Sequence, residues 1–136
     1  MVKELSLDAT VDNIAVVTDF VNAELEAIGC PMKALMQIDV AIDELFSNIA
    51  LYAYAPGSGS ATVRVETESD PPAAVITFID QGTPFDPLSA SAPDVSLPAS
   101  ERDAGGLGVF LVKKIMDEAV YAYRDGKNII RIKKRI

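Results

Sequence analysis

The chain has 136 residues, of which 49% are apolar and 24% charged, with a formal net charge of −8 and one cysteine, Cys30. That length and apolar content bury a core without disulfide or metal staples, which predicts one domain over residues 1–136. The acid excess repels phosphate backbones, so nucleic acid is not expected as a partner, and no run approaches the ~18 consecutive apolar residues of a membrane span.

The first residues lead into an alternating segment and not into a long apolar leader, and the lone thiol cannot form an internal disulfide; together they predict a cytoplasmic setting. Val2, Glu4 and Ser6 alternate with Lys3, Leu5 and Leu7 as a short strand. Asp12 is expected to cap a helix running through Ala27 to a stop at Gly29. Its apolar stripe is placed on Val16, Phe20, Leu25 and Ile28, with Asp19, Glu24 and Glu26 toward solvent. Pro31 opens a second helix, residues 32 to 54, whose Ile38, Ile42, Leu45, Ile49 and Tyr52 form one buried stripe at four-and-three spacing.

Pro56 to Ser60 punctuate the chain. Two strands follow, 61 to 68 and 73 to 80, joined as a hairpin through Asp70-Pro71-Pro72. Residues 81 to 104 are rich in Ser, Pro, Ala and Asp, lack periodicity and are long for a passive connection, which predicts a lid over about 86–104. A helix from Val109 to about Glu118 comes next. Strands 119 to 123 and 128 to 134 then meet at Asp125-Gly126 as a second, tight hairpin. The tail carries six cations against Asp125 from residue 124 onward. Alternating with Ile129, Ile130, Ile132 and Ile136, these are expected on a half-buried strand without a function of their own. The order βααββαββ predicts an α+β two-layer sandwich, a mostly antiparallel mixed sheet with helices on one face.

Three places could carry chemistry. Glu44 and Asn48 share a helix face beside the apolar stripe, where a carboxylate and an amide oxygen suit Mg²⁺ or a polarised water; a solvated pair has the same spacing. Asp80 ends the apolar strand and is followed by Gly82, Pro84 and Phe85. An acid there can accept a hydrogen bond from an exocyclic amine while Gly82 lets a flat ring approach, or it is a turn acid with Gly82 at positive φ. Gly105, Gly106, Leu107 and Gly108 feed a helix N-terminus, a ready phosphate site or a plain helix entry. Their spacing matches neither a Walker loop nor a Rossmann turn. Arg102 can swing onto terminal phosphates or stay solvated.

Taken in order, Glu44-Leu-Phe-Ser-Asn48, Asp80-Gln-Gly82-Thr-Pro84-Phe85-Asp86 and Gly105-Gly106-Leu107-Gly108 resemble the asparagine box and two glycine boxes of the GHKL ATPase superfamily. Within it the short length and the Gly-Leu-Gly-Val-Phe-Leu run are similar to the anti-sigma factor serine/threonine kinases of the RsbW type. The resemblance implies a Bergerat fold binding ATP and Mg²⁺, with Asn48 on the metal, Glu44 as general base, Asp80 and Gly82 on the adenine, and Gly106 and Gly108 at the phosphates. It further implies a homodimer, a serine of an anti-anti-sigma STAS-domain protein as acceptor, and a sigma factor held by the kinase. Tyr52 stands where many relatives carry histidine, and Tyr54 keeps the aromatic that follows. The alternative is a non-catalytic ATP-dependent switch, which needs Asn48 and Asp80 but has no use for a base at Glu44.

Overall fold

The structure, a computed structural model, describes residues 2–89 and 106–136. In chain order its elements are β1 (Val2–Asp8), α1 (Ile14–Ala27), α2 (Met32–Asn48), β2 (Ser60–Ser69), β3 (Pro72–Asp80), α3 (Gly106–Ile115), β4 (Glu118–Arg124) and β5 (Lys127–Arg135). The predicted order holds. The strands form one sheet, β1-β2-β3-β5-β4.

All four strand pairings are antiparallel, so the expected mixed character is absent. The reason lies in the connections. β2–β3 and β4–β5 are hairpins, and the return from β3 enters the sheet at its far edge on β4, so β5 fills the gap running against β3. The Asp125-Gly126 turn has φ of 53° and 75°, the double left-handed conformation that matches strand twist in a two-residue hairpin.

Strand alternation sorts the sheet into two faces. Val63 and Val65 of β2, Ala74, Ile76 and Phe78 of β3, and Ile130 and Ile132 of β5 point toward the helices and join one buried cluster. The opposite face is a ladder of charges. Arg64 pairs with Glu4 at 2.8 Å, and Lys133 lies 2.8 Å from Glu68 and 3.5 Å from Glu118. The basic tail is therefore matched by acids of neighbouring strands, as a half-buried strand requires. Lys134 turns the other way and donates to the Ile115 carbonyl at 2.8 Å, closing the C-terminal end of α3.

Helix α2 is the central helix, with Ile38, Ile42, Leu45 and Ile49 buried as the spacing predicts, and with Ala34, Leu35, Ala41 and Phe46 beside them. Tyr52 departs from the stripe and is 51% exposed. After Asn48 the α-helix gives way to a π-helical segment, Ile49–Ala53, whose wider i→i+5 turn shifts the phase of every later side chain.

In α1 the stripe lies one position away from the expected one. Val17, Val21 and Leu25 are fully buried at strict four-residue spacing, Phe20 packs at the margin, and Val16 and Ile28 are exposed. Glu24 is not on the solvent side, since it pairs with Lys3 of β1 at 3.1 Å. Asp12 caps nothing; it sits in a short 3₁₀ turn, and Asn13 begins the helix while its amide donates to the Asp8 carbonyl at 2.8 Å. The third helix begins three residues earlier than expected and stops at Ile115, because β4 claims the chain from Glu118.

Candidate functional site

Four segments converge at one end of the sheet: the C-terminal end of α2 with its π-helical extension, the loop that leaves β3, the N-terminal turn of α3, and the start of β5. Glu44 and Asn48 lie one turn apart near the end of α2, both half-buried. Burial, and secondarily the charge of Asp43, push the Glu44 carboxyl above its ordinary value. Neither side chain forms a hydrogen bond to any described residue, and neither has a polar atom sealed from solvent. Both therefore keep unused hydrogen-bonding capacity with respect to the described residues.

The structure brings Glu44 against the glycine turn. A Cβ at Gly108 would overlap the Glu44 carboxylate group, both oxygens and their carbon. The missing side chain is what lets the acid lie on the backbone of the first turn of α3. Gly106 and Leu107 open that helix, where free N–H groups and the dipole favour an anion. Gly105 and Arg102, and the predicted lid beyond residue 89, lie outside the described residues.

Asp80 is 5% exposed and is held at one oxygen only. Its Oδ1 accepts from the Gly82 N–H at 2.9 Å and from Asn128 Nδ2 at 3.0 Å, while Oδ2 accepts nothing from the described residues and is not sealed off. The carboxylate is fixed in rotation with one acceptor to spare. The Gly82 bond belongs to a turn acid, but the positive-φ glycines among the described residues are Gly29 and Gly126, so Gly82 is needed for a different reason. A Cβ on it would collide with the Ala53 backbone, whose carbonyl carbon would lie 2.6 Å away. The Thr83 N–H donates to the Ala53 carbonyl at 2.8 Å, so the loop is stitched to the end of the π-helical segment. Tyr54 adds a second stitch: its hydroxyl accepts from the Gln81 N–H at 2.7 Å and donates to the Ser60 carbonyl at 2.6 Å. Pro84 and Phe85 continue this loop on the surface, Phe85 being 61% exposed.

Asn128 has no counterpart among the predicted site residues. It is 4% exposed, stands directly across from Asp80 in the β3–β5 register, and bonds to the loop on several sides. A polar, uncharged residue next to an Asp-Gly turn was the only local signal, and a turn explains such a residue without any site.

These groups suit a magnesium nucleotide. Asp80 Oδ2 offers an acceptor to an exocyclic amine, the N-terminal turn of α3 offers donors to phosphate, and the Asn48 amide offers an oxygen to a hard cation. Among the described residues no three acidic, His or Cys side chains gather as a metal cage, so a cation held by Asn48 would need its other oxygens from phosphate and water. Likewise no helix among them is long and apolar enough to cross a membrane.

Comparison with known proteins agrees with this geometry. Residues 7–134 match the family model described as a histidine kinase-like ATPase domain. The chain is 28% identical over 86 residues to the serine/threonine-protein kinase BtrW of Bordetella bronchiseptica, a match covering 63% of this chain and 60% of that protein. It is 22% identical over 134 residues to the serine-protein kinase RsbW of Bacillus cereus, covering 96% of this chain and 82% of the relative. To RsbW of Listeria monocytogenes it is 26% identical over 109 residues, 77% and 69% of the two chains. Among solved structures, the RsbU and RsbW domains of Rv1364c from Mycobacterium tuberculosis superpose with a TM-score of 0.70 at 19% identity over 99% of this chain, which is 32% of that one. The last likeness is one of fold.

Proposed function

The chain belongs to the histidine kinase-like ATPase domain family, and we propose that within it this RsbW-like protein is an ATP-dependent protein serine kinase acting as an anti-sigma factor. It would phosphorylate a serine on an anti-anti-sigma protein of the STAS fold and sequester a sigma factor, working as a homodimer. The observation that carries the reading is the Glu44 carboxylate laid on Gly108 at the opening turn of α3. A switch that only binds nucleotide has no use for a carboxylate held there.

The residues divide the work. Asp80 Oδ2 accepts from the adenine amine, and the Asp80 to Phe85 loop, backed by Gly82 on Ala53, frames the base. The turn from Gly105 to Gly108 receives the phosphates, with Arg102 as a further charge partner, and Asn48 supplies an oxygen to magnesium. Bound Mg-ATP supplies the phosphoryl group and the cation that offsets charge as it transfers. Glu44 accepts the proton of the incoming serine hydroxyl. Its raised pKa makes it a better base than a solvated glutamate, although positioning contributes more than basicity in such transfers.

Calorimetric titration with Mg-ATP tests the site. The wild-type protein is expected to bind, and Asn48→Ala to lose about tenfold or more in affinity, all of it in the magnesium-dependent part, which corresponds to about 1.4 kcal/mol. A wild-type protein that binds no Mg-ATP removes the kinase reading. If it binds, transfer of labelled phosphate to a STAS-domain protein is the next measurement.

A further inference from the structure

Asn128 is a buried amide whose bonding capacity is fully used. Its Nδ2 donates to Asp80 Oδ1 at 3.0 Å, to the Thr83 carbonyl at 3.0 Å and, at the longer 3.3 Å, to the Gly82 carbonyl. Its Oδ1 accepts from the Phe85 N–H at 3.2 Å and from the Tyr121 hydroxyl. Two amide protons and one carbonyl oxygen are thereby committed to β3, the loop that leaves it and β4. Nothing remains for a ligand. The amide therefore acts, if at all, through the groups it holds.

Those groups are the ones that would meet a base. By occupying Oδ1 together with the Gly82 N–H, Asn128 stops the Asp80 carboxylate from rotating and presents Oδ2 outward. It also gathers the Gly82 and Thr83 carbonyls, and the loop's N–H groups are spent elsewhere, Gln81 on Tyr54, Gly82 on Asp80 Oδ1, Thr83 on Ala53 and Phe85 on Asn128 itself, so none of these faces Oδ2. A carboxylate without a free donor beside it accepts hydrogen bonds only.

We propose that Asn128, braced by Tyr121, is the positioning residue of the base site, and that by holding Asp80 as a fixed acceptor it makes the site select a purine with an exocyclic amine over one with a carbonyl at the same place. The inference rests on the nucleotide reading above and assigns the residue that enforces its selectivity. Rejection of the wrong base would be strong because a carbonyl facing Oδ2 opposes two acceptors in a shielded site, and sites built to pair a polar substrate group discriminate far better than apolar pockets do.

The experiment compares calorimetric affinities for the magnesium complexes of ATP and inosine triphosphate, which differ in the 6-amino against the 6-oxo group and in the proton that the oxo form carries on N1, in the wild-type protein, Asn128→Ala and Tyr121→Phe. The wild type is expected to prefer ATP by about 100-fold. Asn128→Ala should bring that preference below about tenfold, and Tyr121→Phe, which removes one hydroxyl behind the amide, should reduce it by about two- to fivefold. The dependence on magnesium should change by the same factor in the variants as in the wild type, since Asn48 lies on a different element. If Asn128→Ala does not fold, Asn128→Thr, which keeps one hydroxyl donor, is expected to give an intermediate preference. Folded variants that melt earlier yet keep the wild-type preference would show Asn128 to be structural only and overturn the proposal. A wild-type protein that binds neither nucleotide overturns the nucleotide reading with it, so the two failures are distinguishable.

Discussion

Burial beside Gly108 first, and the neighbouring charge of Asp43 second, raise the Glu44 carboxyl above the ordinary glutamate value. Between the unfolded and the raised folded pKa the folded state binds more protons, so stability falls as pH climbs through that window and stays lower above it. Ionised Glu44 therefore weakens the fold at neutral pH, while in the proposed kinase the same ionised form would be the base. Two consequences of opposite sign follow for Glu44→Gln. At pH 7.5 its melting temperature should exceed that of the wild type, the difference vanishing in acid where Glu44 is protonated. Its phosphoryl transfer should fall by about 10²-fold or more, with loss of the acid limb of the pH–rate profile. If the kinase reading holds, the wild-type rate should decline as pH drops through the raised pKa. A variant that is less stable and fully active would contradict both the burial and the role. Asn128 marks the other kind of residue, one whose importance no local pattern announces. Its neighbours in sequence are a turn and a strand; its neighbours in space are Asp80 and the loop after it, 48 residues earlier.

At the scale of elements, the π-helical segment Ile49–Ala53 is the joint between scaffold and site. Up to Asn48 the helix obeys the 3.6-residue repeat that its apolar residues spell out, which is why Ile38 to Ile49 could be assigned to the core from spacing alone. Beyond it the wider turn carries Tyr52 to the surface and delivers the Ala53 carbonyl to Thr83 and the Tyr54 hydroxyl to Gln81. Tyr54→Phe removes both hydroxyl bonds between this joint, β2 and the β3 exit. The expected cost is about 1–2 kcal/mol, read as a melting point lower by about 4–8 °C, together with weaker Mg-ATP binding. Unchanged affinity in a destabilised variant would mean that the joint supports the sheet and not the loop. The error in α1 has a related cause. Two four-residue series run along that helix, Val17-Val21-Leu25 and the one containing Val16 and Phe20, and only docking onto the sheet and α2 chooses between them.

For the whole molecule the net charge of −8 is the controlling quantity. Ion pairs such as Arg64–Glu4 and Lys133–Glu68 sit on the exposed sheet face and contribute little, less as salt rises. Self-repulsion among the acids is screened by the same salt and, at a net charge of −8, is expected to outweigh them. The melting temperature at pH 7.5 should therefore rise, by about 2–4 °C, between low salt and roughly 0.3 M sodium chloride. A fall would show the ladder of pairs to matter more than the acid excess.

The amino-acid sequence by itself determined the element order, the core stripe of α2, the Asp125-Gly126 hairpin and the residues of the three boxes. Each of these depends on interactions among residues a few positions apart, through helical repeat, strand alternation and turn conformation. What the tertiary structure decided is who meets whom across the chain: Gly108 under Glu44, Gly82 on Ala53, Asn128 behind Asp80, and the direction in which β5 enters the sheet. These contacts join segments tens of residues apart. Their existence depends on register and on the phase of a π-helical turn, which no local spacing records.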